Sequence, residues 1–219
     1  EPRGIPPLTA QPRPYAKAVT SAAGRCAAGW NNAPDAVVPL KAEFERLRWE
    51  DAPKLKRAGD WSVLDVPATG GNRLAVVILD MGEPTVGNLR VDITGGAGDE
   101  VIDWHGFEAL AEDGSPAKGL GGSGHAPRVS FAWRLRLREG RTRHEFYQII
   151  GHRYLAVAVR HAKGPLRLKL SLRETRYPLE VRGRFACSDA VLNDIHHICV
   201  RTQQVCMLDA YVDTPWREQ

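Results

Sequence analysis

Short runs of Val, Ile, Leu and aromatic residues, separated by clusters of Gly, Asp and Asn, fill the chain from Trp61 to Tyr177. Runs of this length with these boundaries are typical of β-strands. The pattern predicts eight strands, at Trp61–Val66, Leu74–Met81, Asn88–Thr94, Glu100–Leu110, Val129–Arg138, His144–Ile150, Tyr154–Arg160 and Leu166–Glu174. Because no helical pattern interrupts them, they favour a mainly β domain, a β-sandwich or jelly roll.

The last predicted strand has the clearest two-residue period. Successive side chains of a strand point to opposite faces of its sheet. One face would carry Leu166, Leu168, Leu170 and Leu172, and the other Arg167, Lys169, Ser171 and Arg173. We therefore expect the leucines in the core and the polar residues in water.

Prolines dominate the pattern before this β region. Each fixes its own φ and disfavours helix at the preceding residue, and the first 35 residues contain Pro2, Pro6, Pro7, Pro12, Pro14 and Pro34. We expect an extended segment over residues 1–60. A short helix is predicted within Leu40–Trp49, where Leu40, Phe44 and Leu47 fall at helical spacing.

After Pro178 the pattern becomes helical. Ser188 can cap free N–H groups through its hydroxyl, and the acid at Asp189 suits the positive end of a helix dipole. The predicted helix runs from Asp189 to about Leu208, and its stripe needs a partner surface: Leu192, Ile195, Cys199, Thr202 and Cys206. The chain thus divides into an extended segment (1–60), a sandwich domain (61–178) and a linker helix with its C-terminal tail (179–219).

Composition and charge narrow the class of protein. The 219 residues are 43% hydrophobic and 26% charged, which excludes a disordered or fibrous chain. The net charge of +4 permits a nucleic-acid partner without indicating one. No apolar run is long enough for a membrane span, and the first residues lack the apolar core of a signal peptide. We expect a soluble protein without a membrane partner, cytoplasmic, or periplasmic or secreted if a leader was removed.

The cysteines and histidines give no metal signature. Cys26, Cys187, Cys199 and Cys206 include no CxxC pair, and His196 and His197 are adjacent on the predicted helix, where neighbours point about 100° apart. Cys199 and Cys206 would lie roughly 10 Å apart along the helix, beyond disulfide reach. We therefore expect no metal and no cofactor, and a reducing compartment is favoured.

Two further patterns have ordinary structural explanations. Residues 119–124 match GxGxxG, but they lead toward Pro127 and a strand rather than opening a helix, so we predict an inter-strand loop. A basic hairpin is predicted where arginines alternate with apolar residues: Arg134, Arg136, Arg138, Arg141 and Arg143. A solvated sheet face explains that alternation, and we expect no nucleic-acid binding.

The strongest chemical cluster lies near the last residue. Asp209, Asp213, Arg217 and Glu218 surround Pro215, and Trp216 offers a stacking plane for a sugar. Arg217 can hold a neighbouring carboxylate bidentately. Paired acids beside an aromatic ring suit glycoside chemistry, whereas no GxSxG elbow supports acyl transfer.

The residue order in this region resembles a known family. FACSDAVLN at 185–193, Arg201-Thr202 and CMLDAYVDTPWREQ at 206–219 closely resemble bacterial α-L-rhamnosidases of the six-hairpin glycosidase class, family 78. LDMGEPTVG at 79–87, GFEAL at 106–110 and GHRYLAV at 151–157 resemble the β domain of those enzymes. The resemblance implies a jelly roll, then a linker helix and an (α/α)6 barrel that removes terminal α-L-rhamnosyl groups with inversion.

The resemblance also implies roles for single residues. Asp213 would bind sugar hydroxyls, Arg217 would orient the site and Glu218 would be the general acid. The commoner family motif places that acid one position later, where this chain has Gln219. The general base and nearly all barrel helices would lie beyond Gln219, so we expect a fragment that is inactive by itself.

One alternative stays open, a non-catalytic carbohydrate-binding or structural sandwich module. Aromatic side chains on a concave sheet face would support it, with Trp104, Phe131, Trp133 and Tyr147 as the candidates, although burial in the core is their more common role. Under either hypothesis, the helix at 189–208 would leave an apolar stripe through which copies of the chain could associate.

Overall fold

The computed structural model describes residues 4–26, 44, 46–110 and 132–212. Six strands come from the first half of the chain: β1 (Thr9–Arg13), β2 (Lys17–Arg25), β3 (Trp49–Asp51), β4 (Lys56–Ala58), β5 (Trp61–Val66) and β6 (Arg73–Ala97). The second half gives β7 (Val101–Phe107), β8 (Ala132–Arg136), β9 (Glu139–Glu145), β10 (Ile150–Arg160), β11 (Leu166–Arg176) and helix α1 (Ala190–Val205).

All strand pairs are antiparallel, and β6 belongs to two arrays. Its first part pairs with β2 and β10, and the array continues through β7 to β8. Its later part pairs with β11 and β9, and that array continues through β5 to β4. Side chains from both arrays meet in one buried cluster. The described residues therefore form a β-sandwich, as the sequence predicts.

The sandwich core follows the predicted two-residue period. The four leucines of β11 are 0–1% exposed and belong to the cluster between the arrays. Trp104 is also fully buried there, in edge contact with Phe146. The leucines are therefore in the core, as predicted. The expectation that all the polar residues of the other face lie in water is wrong at Ser171, which is fully buried opposite Arg90 of β6.

The predicted strands at 74–81 and 88–94 are one continuous strand in the structure. The Gly-Glu-Pro sequence between them predicts a break, but the chain bends there and continues. Gly82 takes a φ of 88° and donates its N–H to Asp80 Oδ1 at 2.7 Å. At Gly87 a Cβ would come 2.2 Å from the carbonyl oxygen of Arg173, so the crossing of β6 against β11 requires glycine.

The predicted strand at 144–150 is wrong. β9 ends at Glu145 because Phe146 turns into the core, and the side-chain amide of Asn88 donates to the carbonyl oxygens of Phe146 and Tyr147 at 3.1 and 2.9 Å. These hydrogen bonds occupy carbonyl oxygens that, in a strand, would accept from the backbone of a neighbouring strand. Tyr147 is left 97% exposed.

The predicted basic hairpin is also wrong. β8 pairs with β7 and β9 pairs with β6, so consecutive strands lie in different arrays. Leu137, between them, is buried in the core as the chain crosses. An alternating pattern predicts strands but does not say which neighbour each one pairs with.

The first 60 residues contribute strands to the same sandwich. β1 pairs with β11 and β2 pairs with β6. Phe44 is buried under the first array and packs edge-on against Trp49, with 5.3 Å between ring centroids. The helix predicted within Leu40–Trp49 is wrong at its end, because Trp49 begins β3. Its residues before Arg46, apart from Phe44, lie outside the described residues, as does the GxGxxG stretch at 119–124.

Candidate functional site

The sequence-predicted site residues Asp213, Trp216, Arg217 and Glu218 lie outside the described residues. The structure describes the elements that lead directly to them, namely α1 and the turn at residues 206–212. These elements determine where the candidate catalytic segment leaves the sandwich.

The N-cap of helix α1 lies one residue later than the sequence predicts. Asp189, not Ser188, is the N-cap residue, and its carboxylate accepts from the backbone N–H groups of Val191 and Leu192 at 2.8 and 3.4 Å. A carboxylate accepts these bonds and also favours the positive end of the helix dipole, so it outcompetes the neighbouring hydroxyl. Asn193 exchanges two hydrogen bonds with the backbone of Cys187, at 3.0 and 2.9 Å, which orients the entering chain.

Only the last part of α1 docks on the sandwich. Within residues 190–205, Arg201 and Val205 are buried, whereas Leu192 and Ile195 are 48% and 49% exposed. The docked face matches the predicted stripe only at its end, where Cys206 is buried. Within the helix, Arg201 and Val205 reach the sandwich instead of Cys199 and Thr202, which are exposed.

Arg201 anchors α1 to both arrays of the sandwich. Its guanidinium donates from Nε and Nη2 to the carbonyl oxygen of Pro84 in the bend of β6, at 2.9 and 2.6 Å. Nη2 also donates to Oε1 of Glu174 on β11, at 2.9 Å. One side chain thus fixes the helix relative to two strands.

Glu174 is the centre of this junction. Its Oε1 accepts from Arg13 of β1 at 2.9 Å, from Thr85 at 2.8 Å and from Arg176 at 2.8 Å, besides Arg201. Burial alone would raise the pKa of this carboxyl, but the hydrogen bonds from Arg176, Arg201 and Thr85 outweigh burial and hold the pKa at about 2. Glu174 is therefore ionised at neutral pH and cannot donate a proton as a general acid.

The turn after α1 is fixed on the bend of β6. Val205 and Cys206 form a buried cluster with Val86, and Leu208 and Val212 pack against it. Val212 donates its N–H to the carbonyl oxygen of Cys206 at 3.0 Å, and Met207 pairs with Tyr211 in an isolated bridge. The chain therefore reaches residue 213 from a turn that is packed on the sandwich.

A cleft of about 470 Å³ lies between α1 and the bend of β6. Its lining includes Glu83, which contacts Arg13 at 2.8 Å and Arg201 at 3.4 Å, together with Arg153 and His197. Nearby, Asp80 pairs with Arg153 at 3.2 Å. Both carboxylates are paired with arginines, so the cleft helps to position α1 and offers no unpaired carboxylate for proton transfer.

The described part of the chain offers no group of side chains that fits a metal ion and no helix that fits a membrane span. Within residues 4–26, 44, 46–110 and 132–212, no three His, Cys, Asp or Glu side chains form a group that could hold a metal ion. His196 stacks on Phe185, with ring centroids 5.0 Å apart. The four cysteines are thiols. Among the described helices, none is long and apolar enough to cross a membrane.

The aromatic residues of the alternative hypothesis do not share one surface. Trp104 is fully buried, Trp133 packs partly buried against the core, and Tyr147 is exposed on the turn after β9. Phe131 lies outside the described residues. Core packing therefore explains the two tryptophans.

Comparison with known proteins relates the chain to one enzyme family. Residues 180–219 match the family model of the bacterial alpha-L-rhamnosidase 6 hairpin glycosidase domain. The chain is also similar to the GH78 family rhamnosidase of Bacillus sp. GL1, with 26% identity and a TM-score of 0.64 over 79% of this chain and 18% of that one. The chain is thus similar to GH78 α-L-rhamnosidases in its fold and to their six-hairpin domain in residues 180–219.

Two other rhamnosidase structures share the fold. The enzyme from Klebsiella oxytoca, solved with rhamnose bound, matches over 97% of this chain and 38% of its own, at 20% identity and a TM-score of 0.63. The α-L-rhamnosidase from Dictyoglumus thermophilum matches over 78% and 20%, at 18% identity and a TM-score of 0.51. This chain thus spans well under half the length of each relative. A search of curated protein sequences found no match.

Sequence reasoning missed the junction at Glu174 and Arg201. The arginine belongs to a motif that carries the family resemblance, but its buried position was not predicted. One signal was available: Arg201 and Val205 are four residues apart, so they share a helix face. An arginine on the same face as a buried valine indicates a carboxylate partner on the docking surface.

Proposed function

We propose that the protein containing this chain is a glycoside hydrolase that removes terminal α-L-rhamnosyl groups with inversion. The observation that carries the proposal is the match of residues 180–219 to the six-hairpin glycosidase domain. That range includes α1 and the whole Asp213–Glu218 cluster. Accordingly, we propose that residues 61–178 form the sandwich domain with strands added from residues 1–60, and that 179–219 open the catalytic domain.

An inverting hydrolase needs two carboxyl groups. One protonates the leaving oxygen, and the other activates a water on the opposite face of the sugar, from roughly 6.5–9.5 Å away. We assign the acid to Glu218, sugar-hydroxyl binding to Asp213, orientation of the site to Arg217 and stacking to Trp216. The anchored turn at 206–212 supports this assignment, because it fixes the point from which the segment leaves the sandwich.

The cluster supplies an acid but has no assigned general base. Protonation of the leaving group without activation of water leaves half of the reaction uncatalysed. We therefore expect the 219-residue chain by itself to give no rhamnoside turnover.

The test compares Glu218→Gln with the wild-type parent protein on two rhamnosides. A nitrophenyl rhamnoside has a good leaving group that needs little protonation, whereas an alkyl rhamnoside needs the acid. If Glu218 is the acid, the variant should lose about 10²–10⁴-fold in kcat/KM on the alkyl substrate and clearly less on the nitrophenyl one. NMR of the first-formed sugar anomer reports inversion.

Glu180→Gln is the matched control, because Glu180 is exposed and pairs only with Arg182 among the contacts described, at 2.8 Å. It should leave both rates unchanged. Equal losses on the two substrates for Glu218→Gln would assign Glu218 a binding role instead. Turnover by the isolated chain that Glu218→Gln abolishes would require a complete site within these residues.

A further inference from the structure

A polar cleft of about 590 Å³ lies on the outer side of the array formed by β5, β11, β6 and β9. Its lining includes Trp61 from β5 and Lys169 from β11. From β6 and β9 it takes Arg90, Asp92, Arg141, Arg143 and Glu145. We call this site the basic cleft. The strand register places Arg143 and Lys169 on either side of Asp92, so the charges of three strands meet in one row.

Cations outnumber carboxylates in the basic cleft. Four cations line it against two carboxylates. Asp92 accepts two bonds from Arg141, at 2.6 and 2.5 Å, and its Oδ2 lies 3.5 Å from Arg143. Each carboxylate carries one negative charge, so one that serves two cations leaves a positive charge uncompensated.

The excess of positive charge continues at both margins of the basic cleft. Glu145 serves Arg90 at 3.7 Å and also Arg173 at 2.6 Å. On the neighbouring strand β5, Asp65 accepts from Arg167 and from Lys56, each at 2.8 Å.

Hydrogen bonds from Arg167 and Lys56 lower the pKa of Asp65 to about 2, and those from Arg141 lower the pKa of Asp92. Asp65 and Asp92 are therefore ionised at neutral pH. Counted over the side chains named above, the cleft and its margins nevertheless hold seven cations against three carboxylates. That excess equals the whole formal charge of the chain, +4.

Trp61 adds an aromatic plane to this charged surface. Its ring is half-buried, and the guanidinium carbon of Arg90 lies 4.9 Å from the ring centroid. An indole offers an apolar face beside a polar edge, which suits the C–H face of a sugar ring. Arginines next to it can hold a planar carboxylate through two parallel hydrogen bonds.

We propose that the basic cleft binds a carboxylate-bearing polysaccharide. The choice of a glycan rests on the proposed function, and it also fits the two carboxylates within the cleft. Asp92 and Glu145 can accept hydrogen bonds from sugar hydroxyls, whereas a phosphate backbone has no donor to offer them. The excess positive charge attracts the acid groups of the polymer, and Trp61 supports a ring between them.

The test is a titration of the 219-residue chain with polygalacturonate at low salt, with uncharged dextran as the comparison polymer. The chain should bind polygalacturonate and not dextran, with affinity that falls as salt rises. In Arg143→Glu, binding should weaken about tenfold, the equivalent of about 1.4 kcal/mol. Arg143 is 68% exposed, and its replacement leaves the Arg141–Asp92 pair intact.

Arg182→Glu is the matched control, because it reverses the same charge at a side chain that is 82% exposed and outside the cleft. It should bind polygalacturonate like the wild type. Trp61→Ala should weaken binding without altering the salt dependence. Circular dichroism establishes that each variant is folded.

Three results would overturn the proposal: absence of polygalacturonate binding, equal loss in Arg143→Glu and Arg182→Glu, or tighter binding of a DNA duplex than of polygalacturonate. The proposed hydrolase activity is tested separately, since Arg143→Glu should leave turnover of an uncharged nitrophenyl rhamnoside by the parent protein unchanged. Failure of the cleft and failure of the catalytic assignment are thus distinguishable.

Discussion

Two clusters of buried polar side chains lie close together in the sandwich, and one of them is neutral whereas the other is charged. Tyr15 and His152 share a hydrogen bond of 3.0 Å between the phenol oxygen and Nε2. Thr85, the β6 register partner of His152, donates its hydroxyl to Glu174 in the second cluster. The first cluster is neutral, whereas the second is built around an ionised carboxylate.

The physical cause lies in the partners that each buried group has. Burial lowers the pKa of His152 to about 3, with a further contribution from His105. Glu174 is buried as well, but several donors around it, Arg201 among them, stabilise its charged form. The comparison shows that a buried group in the sandwich stays neutral where no opposite charge faces it, as at His152, and is ionised where cationic donors surround it, as at Glu174.

The largest expected effect is acid destabilisation through His152. In the unfolded chain a histidine takes up a proton below about pH 6.5, whereas the folded protein resists protonation until about pH 3. The stabilising contribution is therefore complete above pH 6.5 and is lost as pH falls toward 3, on the order of 5 kcal/mol in total. Urea unfolding at successive pH values measures it.

His152→Gln should flatten this pH dependence, because glutamine can still hydrogen-bond the Tyr15 hydroxyl but does not titrate. His197→Gln is the matched control, since His197 is exposed on α1. A slope between pH 6.5 and 4.5 that persists in His152→Gln would assign the acid sensitivity to another group.

A smaller and local effect is expected from Glu174→Gln. The amide keeps the shape of the side chain but removes the charge that Arg13, Arg176 and Arg201 share. Hydrogen bonds to charged groups contribute about 1.5–3 kcal/mol. We therefore expect amide hydrogen exchange in residues 202–206 to accelerate roughly thirtyfold, the equivalent of about 2 kcal/mol.

Exchange in β10 should rise less than exchange in the last turn of α1, and Glu180→Gln should change neither. An equal rise in both elements would mean that Glu174 stabilises the whole sandwich. In that case the junction would not be a separate unit of stability.

The sequence predicts features that depend on local periodicity. The alternation in β11 identifies the buried leucines, and the polar start near Asp189 identifies the beginning of α1 within one residue. Both signals depend on side-chain direction along a single element, which the backbone geometry determines.

Features that depend on contacts between distant residues could not be predicted. The continuous course of β6 through Gly82 and Pro84 depends on the crossing against β11, and the end of β9 depends on the side chain of Asn88. Likewise, Glu174 and Arg201 come from separate elements. The assignments of Asp213, Trp216, Arg217 and Glu218 remain predictions, since they rest on residue chemistry and family resemblance.

The smallest effect on stability is expected from truncation after Pro178. Removal of residues 179–219 deletes α1 but leaves the core between the arrays intact. It also removes exposed apolar side chains, including Leu192, Ile195 and Ile198, which are 48%, 49% and 61% exposed. Exposed apolar surface favours association, so the truncated chain should be at least as soluble and monomeric as the 219-residue chain in light scattering.

The thermal midpoint should fall only slightly, because the docked part of α1 covers few apolar groups of the sandwich. Val86 is the main side chain that loses its cover, and Glu174 loses one donor while Arg13, Thr85 and Arg176 remain. Burial of a valine contributes roughly 1.5–3 kcal/mol, and part of Val86 stays covered by Ile149. Aggregation or unfolding of the truncated chain would instead make α1 an integral part of the sandwich and move the domain boundary beyond residue 178.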